Sequence, residues 1–255
     1  KIKKENKLWP GTEKIVRKYS YLHAAISKYH GGWKKINKKY NLYEGNNWAN
    51  IMKVLNNKNS NTYYLTGLIV SDGHISKSRN SITISLKKSD EHILKEIYNW
   101  LNMKKGFNIV NTKRNNEELR ADLHFFGKKI VKFFKNFGIS DNNKSFNQGR
   151  LIIPNKYFAD FLRGALDGDG CITADIKRKV FRIGICGTKQ FINFIRFRIK
   201  IILNLNELGH MYSVGNIWNV YWNKENSFKI RDFIYKNDGL FLKRKKRVDF
   251  SIDNI

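Results

Sequence analysis

Two aspartates close two nearly identical stretches of this chain. Residues 65–73 read LTGLIVSDG and residues 162–170 read LRGALDGDG, so Asp72 and Asp169 recur at an interval of 169 − 72 = 97 residues. Carboxylates are the groups that hold hard divalent cations. A cation held beside a phosphodiester activates water, neutralises phosphate charge and stabilises the leaving oxygen. Each half also supplies a lysine six positions past a glycine, Lys144 after Gly138 and Lys245 after Gly239. Such lysines suit the orienting of water or the stabilising of developing charge.

The acids need elements that bring them together. At the same interval Gly67 pairs with Gly164 and Ser71 with Gly168. Residues at i and i+4 share one face of a helix, so each stretch is expected to be a helix with a small-residue face. A helix-interior glycine costs about 0.5–1 kcal/mol against alanine, which makes sense where another backbone must come close. The other copy is the natural partner, and the contact would carry both acids to one end. Gly73 and Gly170 are expected to take the left-handed turn that closes a helix. A single Asp-Gly reads equally well as a hairpin turn; two copies in register point to duplication.

The bulk composition narrows the partner. A chain of 255 residues with 41% hydrophobic and 14% aromatic content can build two or three small cores. Its net charge of +28 favours a polyanion, with nucleic acid first. An acidic membrane is the weaker partner, since no long apolar run or lipidation signal is visible. The two cysteines, Cys171 and Cys186, show no zinc spacing and are expected to be reduced thiols of an intracellular protein. No signal peptide is visible. Heavy use of Lys, Asn and Ile suggests an AT-rich genome, in an organelle or a bacterial cytoplasm.

Residues 1–58 are expected to form a separate helical module. Thr12 would cap a helix carrying Ile15, Tyr19, Leu22, Ile26 and Tyr29, broken at Gly31-Gly32. Trp33, Ile36 and Tyr40 suggest a second helix, and Trp48, Ile51, Met52 and Leu55 a third. Past the first motif, Ile82, Ile84 and Leu86 alternate with Ser81, Thr83, Ser85 and Lys87 as a half-buried strand. A helix follows from Asp90, then a strand pair over Phe107–Val110 and Leu119–Phe125, then a helix from Ile130 to Phe137. The second half repeats the order, with a hairpin over Ile172–Ile185, a helix over Phe191–Leu203, a hairpin over Met211–Trp222 and a helix over Phe228–Tyr235. Pro154 marks a linker near residues 146–154.

The doubled motif resembles the LAGLIDADG homing endonucleases in their two-motif, single-chain form, over roughly residues 60–250. The run Tyr21–Leu42 is similar to a helical repeat that accompanies some homing endonucleases; its alternative is a plain solvated appendage. The resemblance implies an α+β fold of tandem αββαββα domains, 59–152 and 153–255, forming a pseudo-twofold DNA-binding saddle behind the helical extension. Each sheet would lie along a major groove, which admits a two-stranded ribbon and distinguishes all four base pairs. Candidates to contact double-stranded DNA are Arg79, Ser81, Thr83, Ser85, Lys113, Arg114, Arg120 and His124 in the first half. In the second they are Lys177, Arg178, Lys179, Arg182, Asn219 and Tyr221.

By the same resemblance, Asp72 and Asp169 would bind magnesium or manganese, helped by the carbonyls of Ser71 and Gly168. Lys144, Lys245 and, less strongly, Lys87 would complete the catalytic groups; the second half has no basic counterpart of Lys87 near Cys186-Gly187. The implied activity is cleavage of both strands of a long asymmetric site by a monomer, one active site per strand, leaving short 3′ overhangs and promoting intron homing. The motif's earlier acid is Val70 in the first copy and Asp167 in the second, where it is expected to be structural. His74 is expected to be a loop histidine. An RNA maturase bound to intron RNA and a non-cleaving DNA-binding regulator remain the alternative functions.

Overall fold

The computed structural model describes residues 20–32, 35–36, 48–110, 119–140, 147–175 and 177–246. The chain divides into a unit of Lys1–Asn47 and a unit beginning at Trp48. In the first, helix α1 (Ser20–His30) ends where the Gly32 amide donates to Ile26 O at 3.1 Å, with Gly31 at φ 64°. That is the break expected at Gly31-Gly32. Thr12, Trp33 and Tyr40, on which the flanking expectations rested, lie outside the described residues.

Helix α2 (Trp48–Asn56) belongs to the second unit, because Ile51 and Leu55 are fully buried in its core. The compact unit therefore begins at Trp48, ahead of the boundary expected after residue 58. Ile51 and Leu55 sit at i and i+4, and an apolar stripe of that kind needs a covering surface.

Two repeats follow. The first runs α3 (Ser60–Asp72), β1 (Gly73–Ser76), β2 (Ser81–Lys87), α4 (Glu91–Trp100), β3 (Phe107–Val110), β4 (Arg120–Phe126) and α5 (Lys128–Lys135). The second runs α6 (Phe158–Asp169), β5 (Gly170–Asp175), β6 (Val180–Gly187), α7 (Lys189–Leu203), β7 (His210–Val214), β8 (Ile217–Asn223) and α8 (Lys224–Ile234). Each repeat is thus αββαββα, and each makes one four-stranded antiparallel sheet, ordered β1-β2-β4-β3 and β5-β6-β8-β7. The registers match as well. Gly73 pairs with Ile84 and Ile84 with Leu123, while Gly170 pairs with Ile185 and Ile185 with Val220.

The cores follow from period-two alternation. Ile82, Ile84 and Leu86 of β2 and Ala121, Leu123 and Phe125 of β4 point inward beneath α4 and α5. In the second repeat Phe181, Ile183, Ile185, Val220 and Trp222 do the same beneath α7 and α8. Phe181 stacks on Phe228 with centroids 4.4 Å apart.

Helices α3 and α6 join the repeats. The Asn59 side chain caps α3 by accepting from the Thr62 amide at 3.1 Å. From Thr62 to Val70 every residue of α3 is buried, as is every residue of α6 from Phe158 to Asp167. The two helices cross backbone to backbone. A Cβ on Gly67 would lie 2.1 Å from Phe161 O and 2.7 Å from Ala165 N. A Cβ on Gly164 would lie 2.0 Å from Tyr64 O and 3.0 Å from Leu68 N. Adding 97 to 64 and 68 gives 161 and 165, so the contact is symmetric atom for atom.

The motif-ending glycines serve another purpose than the one expected. Gly73 (φ −78°, ψ 141°) and Gly170 (φ −90°, ψ 162°) are extended, not left-handed, because each helix passes straight into a strand. Crowding explains them instead: a Cβ at either would lie 2.5 Å from a carbonyl, Ile69 O or Leu166 O.

The crossing makes a prediction whose sign opposes helix propensity. Alanine at an interior helix position gains up to about 1 kcal/mol over glycine. Gly164→Ala should nevertheless destabilise the protein by about 1–3 kcal/mol, through forced separation of packed backbones. Urea unfolding of the full chain measures this, and a stabilised variant would contradict the crossing.

Candidate active site and sheet faces

The crossing fixes what lies at its end. Ser71 and Gly168 are symmetry mates, and a Cβ on Gly168 would sit 2.0 Å from Ser71 Oγ and 2.9 Å from Asp72 Oδ2. One serine and one glycine fill the position; two side chains would not fit. Ser71 Oγ turns back onto its own helix, at 3.1 Å from Gly67 O and 3.2 Å from Leu68 O. Asp72, half-buried, and Asp169, exposed, therefore end adjacent helices, and Ser71, Asp72 and Gly168 come together as expected.

Lys245 reaches this site from the C-terminal tail. It is buried, and its Nζ donates to the carbonyls of Leu166 (2.7 Å), Asp167 (2.6 Å), Gly168 (3.2 Å) and Gly170 (2.9 Å). A cation here also meets the negative end of the α6 dipole. Burial pushes its pKa down, against the opposing pull of Asp167 and Asp72. The Lys245 ammonium is thus engaged by main-chain carbonyls at the end of α6. It clamps the carbonyl layer beside Asp169, including the Gly168 carbonyl. Its counterpart Lys144 lies outside the described residues.

Three anchors bring Lys245 to that place. The buried Arg163 donates to Leu240 O at 2.8 Å and to Ile234 O, and pairs with Asp160 at 2.8 Å. The Leu242 amide donates to Asp167 Oδ2 at 2.8 Å. Arg244 pairs with both oxygens of the buried Asp90 in the first repeat, at 3.1 and 2.9 Å.

Asp167 is the structural acid the sequence suggested. Tyr64 donates its hydroxyl to Asp167 Oδ2 at 2.8 Å. The symmetry-related positions hold Phe161 and Val70, both buried. Where the first motif lacks its earlier acid, the partner position lacks the hydroxyl, so no polar group is left orphaned. Burial raises the pKa of Asp167 from 3.8 to about 6, against the lowering effect of its hydrogen bonds and of Lys245 and Arg163.

The outer sheet faces carry most of the remaining candidates. On the first, Thr83 Oγ1 and His124 Nδ1 share a hydrogen bond of 2.9 Å. Arg120 Nε lies 3.0 Å from Asp122 Oδ1. Ser85 is half-buried, and Arg79 is exposed in the β1–β2 turn, its amide 3.3 Å from Ser76 Oγ. Ser81 is a correction: it is 5% exposed, buried at the start of its strand. His74 is a second one. It is a residue of β1, in register with Thr83, and not a loop histidine. Lys113 and Arg114 lie outside the described residues.

Lys87 is exposed at the end of β2. By sheet register (Ile84 to Ile185) its mate is Thr188, whose side chain caps α7 by accepting from the Phe191 amide at 3.1 Å. The second repeat uses that position to start a helix, which explains the missing basic counterpart.

On the second sheet, Arg182 Nε donates to Asn223 Oδ1 at 2.8 Å and its guanidinium lies 4.5 Å from the Tyr221 ring centroid. Lys177, Arg178 and Lys179 lie exposed in the β5–β6 turn, where Arg178 pairs with Asp175 at 3.7 Å. A groove of about 730 Å³ runs over this face, lined by Asp169, Cys171, Arg182, Cys186, Asn219 and Tyr221 among others. Cys186 Sγ donates to Asp169 O at 3.6 Å, and burial with the nearby Asp169 pushes its thiol pKa up. Sequence reasoning missed Asp122 and Asn223, the two partners that fix the arginines. Asp122 was visible in the β4 alternation; Asn223 lay one residue beyond the expected strand.

Residues 59–140 match the family model of a LAGLIDADG-like domain. The homing endonuclease I-WcaI bound to its DNA recognition sequence is similar in structure, with a TM-score of 0.56 and 17% identity, covering 83% of this chain and 98% of that one. The N-terminal LAGLIDADG domain of DUF199/WhiA has a TM-score of 0.50 and 16% identity, covering 71% of this chain and 83% of that one. Among curated proteins, the DNA-directed RNA polymerase subunit Rpo1C of Methanocaldococcus jannaschii is 29% identical over 121 residues. That match takes in 47% of this chain and 13% of the relative's length.

The raised pKa of Asp167 has a defined pH signature. The folded state binds the proton more tightly than the unfolded chain, so this group's stabilising term is full below pH 3.8 and disappears as pH rises through about 6. Between pH 7.5 and 4.5 the protein should gain about 2 kcal/mol relative to Asp167→Asn. Paired urea unfolding series read the difference; parallel pH curves would contradict the assignment.

Proposed function

We propose that this two-motif LAGLIDADG chain is a site-specific endonuclease that cuts both strands of a long, asymmetric DNA duplex, with Asp72 and Asp169 each serving one strand. The observation that carries this reading is the glycine crossing, which sets the two acids at the ends of adjacent helices between two four-stranded sheets. The net charge of +28 suits phosphate contact, and affinity that falls steeply with salt is expected.

The donor set fits magnesium or manganese. Among the described residues there is no cluster of three or more His, Cys, Asp or Glu side chains able to hold a metal. Two acids with the carbonyls of Ser71 and Gly168 leave room for water and phosphate oxygens, which magnesium prefers to a full protein cage. When bound, the ion supplies an activated water and neutralises charge at the scissile phosphate. The chain's own part is positional. Gly168 keeps space open beside Asp72, and Lys245 holds the carbonyls that precede and follow Asp169 in a fixed layer. Lys87 offers a cation at the site of one strand, while Thr188 offers none at the other, so unequal rates of strand cleavage are expected.

Outward-facing side chains of the two sheets would read the major groove, and one chain supplies both halves, so the active species is a monomer. Residues 1–47 would extend the footprint. A non-cleaving DNA-binding role is the second reading, favoured by one feature: the Lys245 ammonium is engaged by main-chain carbonyls. Retention of both acids weighs against it.

Incubation of the full chain with a randomised plasmid library and magnesium, then sequencing of the cut ends, should give one long site with short 3′ overhangs. On that site Asp72→Asn and Asp169→Asn should each nick one strand, with linearisation reduced at least about 100-fold. Linearisation surviving in the double variant would remove these acids from the chemistry.

A further inference from the structure

The inner ends of the two outer sheet faces differ in one chemical respect. On the first sheet, Val110 of β3 is in register with Arg120 of β4. On the second, Val214 of β7 is in register with Ile217 of β8. Because Leu123 corresponds to Val220 through the shared pairing with Ile84 and Ile185, Arg120 and Ile217 are equivalent positions. Register partners in an antiparallel sheet project to the same face. Val214 and Ile217 therefore lie on the face of Tyr212, Asn219 and Tyr221, which line the groove over the second sheet. Val214 is 66% exposed, Ile217 44% and Tyr212 49%.

An aliphatic patch on the polar face of so basic a chain needs an apolar occupant. The hairpin bearing it is tightly built. Gly215 turns at φ 58° with nothing near a Cβ position, and Trp218, on the opposite face, is overlaid by Lys189 Nζ at 4.7 Å from its centroid. In the major groove only thymine offers a methyl group, at C5, so it is the base whose edge gives an aliphatic side chain an apolar contact. Arg120, held by Asp122 at 3.0 Å, faces its half of the duplex with the opposite chemistry, the two-pronged donor that suits guanine.

Resting on the DNA-binding reading above, we infer that Val214 and Ile217 select thymine by methyl contact, so that the half-site under the second sheet carries thymine where Arg120 demands guanine under the first. Both side chains are exposed, so exchanging them leaves the core untouched.

The test is selection of bound duplexes by the full chain from two randomised libraries, one made with dTTP and one with dUTP, whose uracil lacks only the methyl. With dTTP, one half-site should show thymine at one or two positions near the centre. With dUTP that preference should vanish, and a synthetic site carrying uracil there should bind roughly tenfold more weakly for two lost methyl contacts. Ile217→Arg should move one of these positions to guanine, and Arg120→Ile should move its mirror position from guanine to thymine. A preference that persists with uracil, or that ignores Ile217→Arg, overturns the methyl contact while leaving DNA binding intact. Failure to enrich any sequence overturns the DNA-binding reading itself.

Discussion

Two backbones meeting without side chains between them is the constraint from which the rest follows. Gly67 and Gly164 each face a carbonyl at a distance no Cβ could tolerate, and their environments map onto each other under the 97-residue shift. A contact that close cannot slide along either axis, since moving one residue would put a side chain where only hydrogen fits. It therefore fixes the register of α3 on α6, and with it the positions of the strands that leave each helix directly. Asp72 and Asp169 end adjacent helices as a consequence of that backbone geometry.

The polar belt below the crossing shows how near-symmetry is broken without penalty. Tyr64 and Asp167 make a buried hydrogen bond on one side of the pseudo-axis, and Phe161 and Val70 occupy the other. Asp167 and the carbonyls that end α6 then bind the tail through Leu242 and Lys245, so that the chain's last described turn is tied to α6 and, through Arg244 and Asp90, to the first repeat. Buried charges are costly unless paired and hydrogen-bonded. Here Asp167 and Lys245 are each hydrogen-bonded, and the result is a carbonyl layer held beside Asp169 and a tail that cannot leave without exposing Leu240 and Leu242.

The fold was legible in the sequence to an unusual depth because duplication supplies its own control. The helix, hairpin, helix, hairpin, helix order appeared twice, and the small faces at Gly67, Ser71, Gly164 and Gly168 gave the crossing. What could not be read were properties that depend on neighbours distant in sequence. The place of Gly73 and Gly170 after a helix points to a left-handed turn, whereas a tertiary crossover into a strand decides their backbone. Lys245 has the spacing of a free catalytic lysine because it matches Lys144; its carbonyl partners lie 75 to 79 residues away in the chain. Ser81 keeps the alternation of its strand but sits where the strand's start is covered. The packing of Trp48–Asn56 with the second unit was not legible because the burial of Ile51 and Leu55 depends on surfaces contributed by later elements.

Symmetry and its local failures also organise the candidate surface. Thr188 must cap α7, so it cannot be the lysine found at position 87; Ile217 stands where Arg120 stands, so the two sheets offer different chemistry at equivalent places. The central claim remains the placement of the two acids. It is tested most directly by a crystal structure of the full chain on its duplex site with manganese, read by anomalous scattering. Metal peaks are expected within about 2–2.6 Å of carboxylate oxygens of both Asp72 and Asp169, each beside a phosphate of a different strand. Peaks bound elsewhere, or the two carboxylates on separate surfaces away from the DNA, would contradict it.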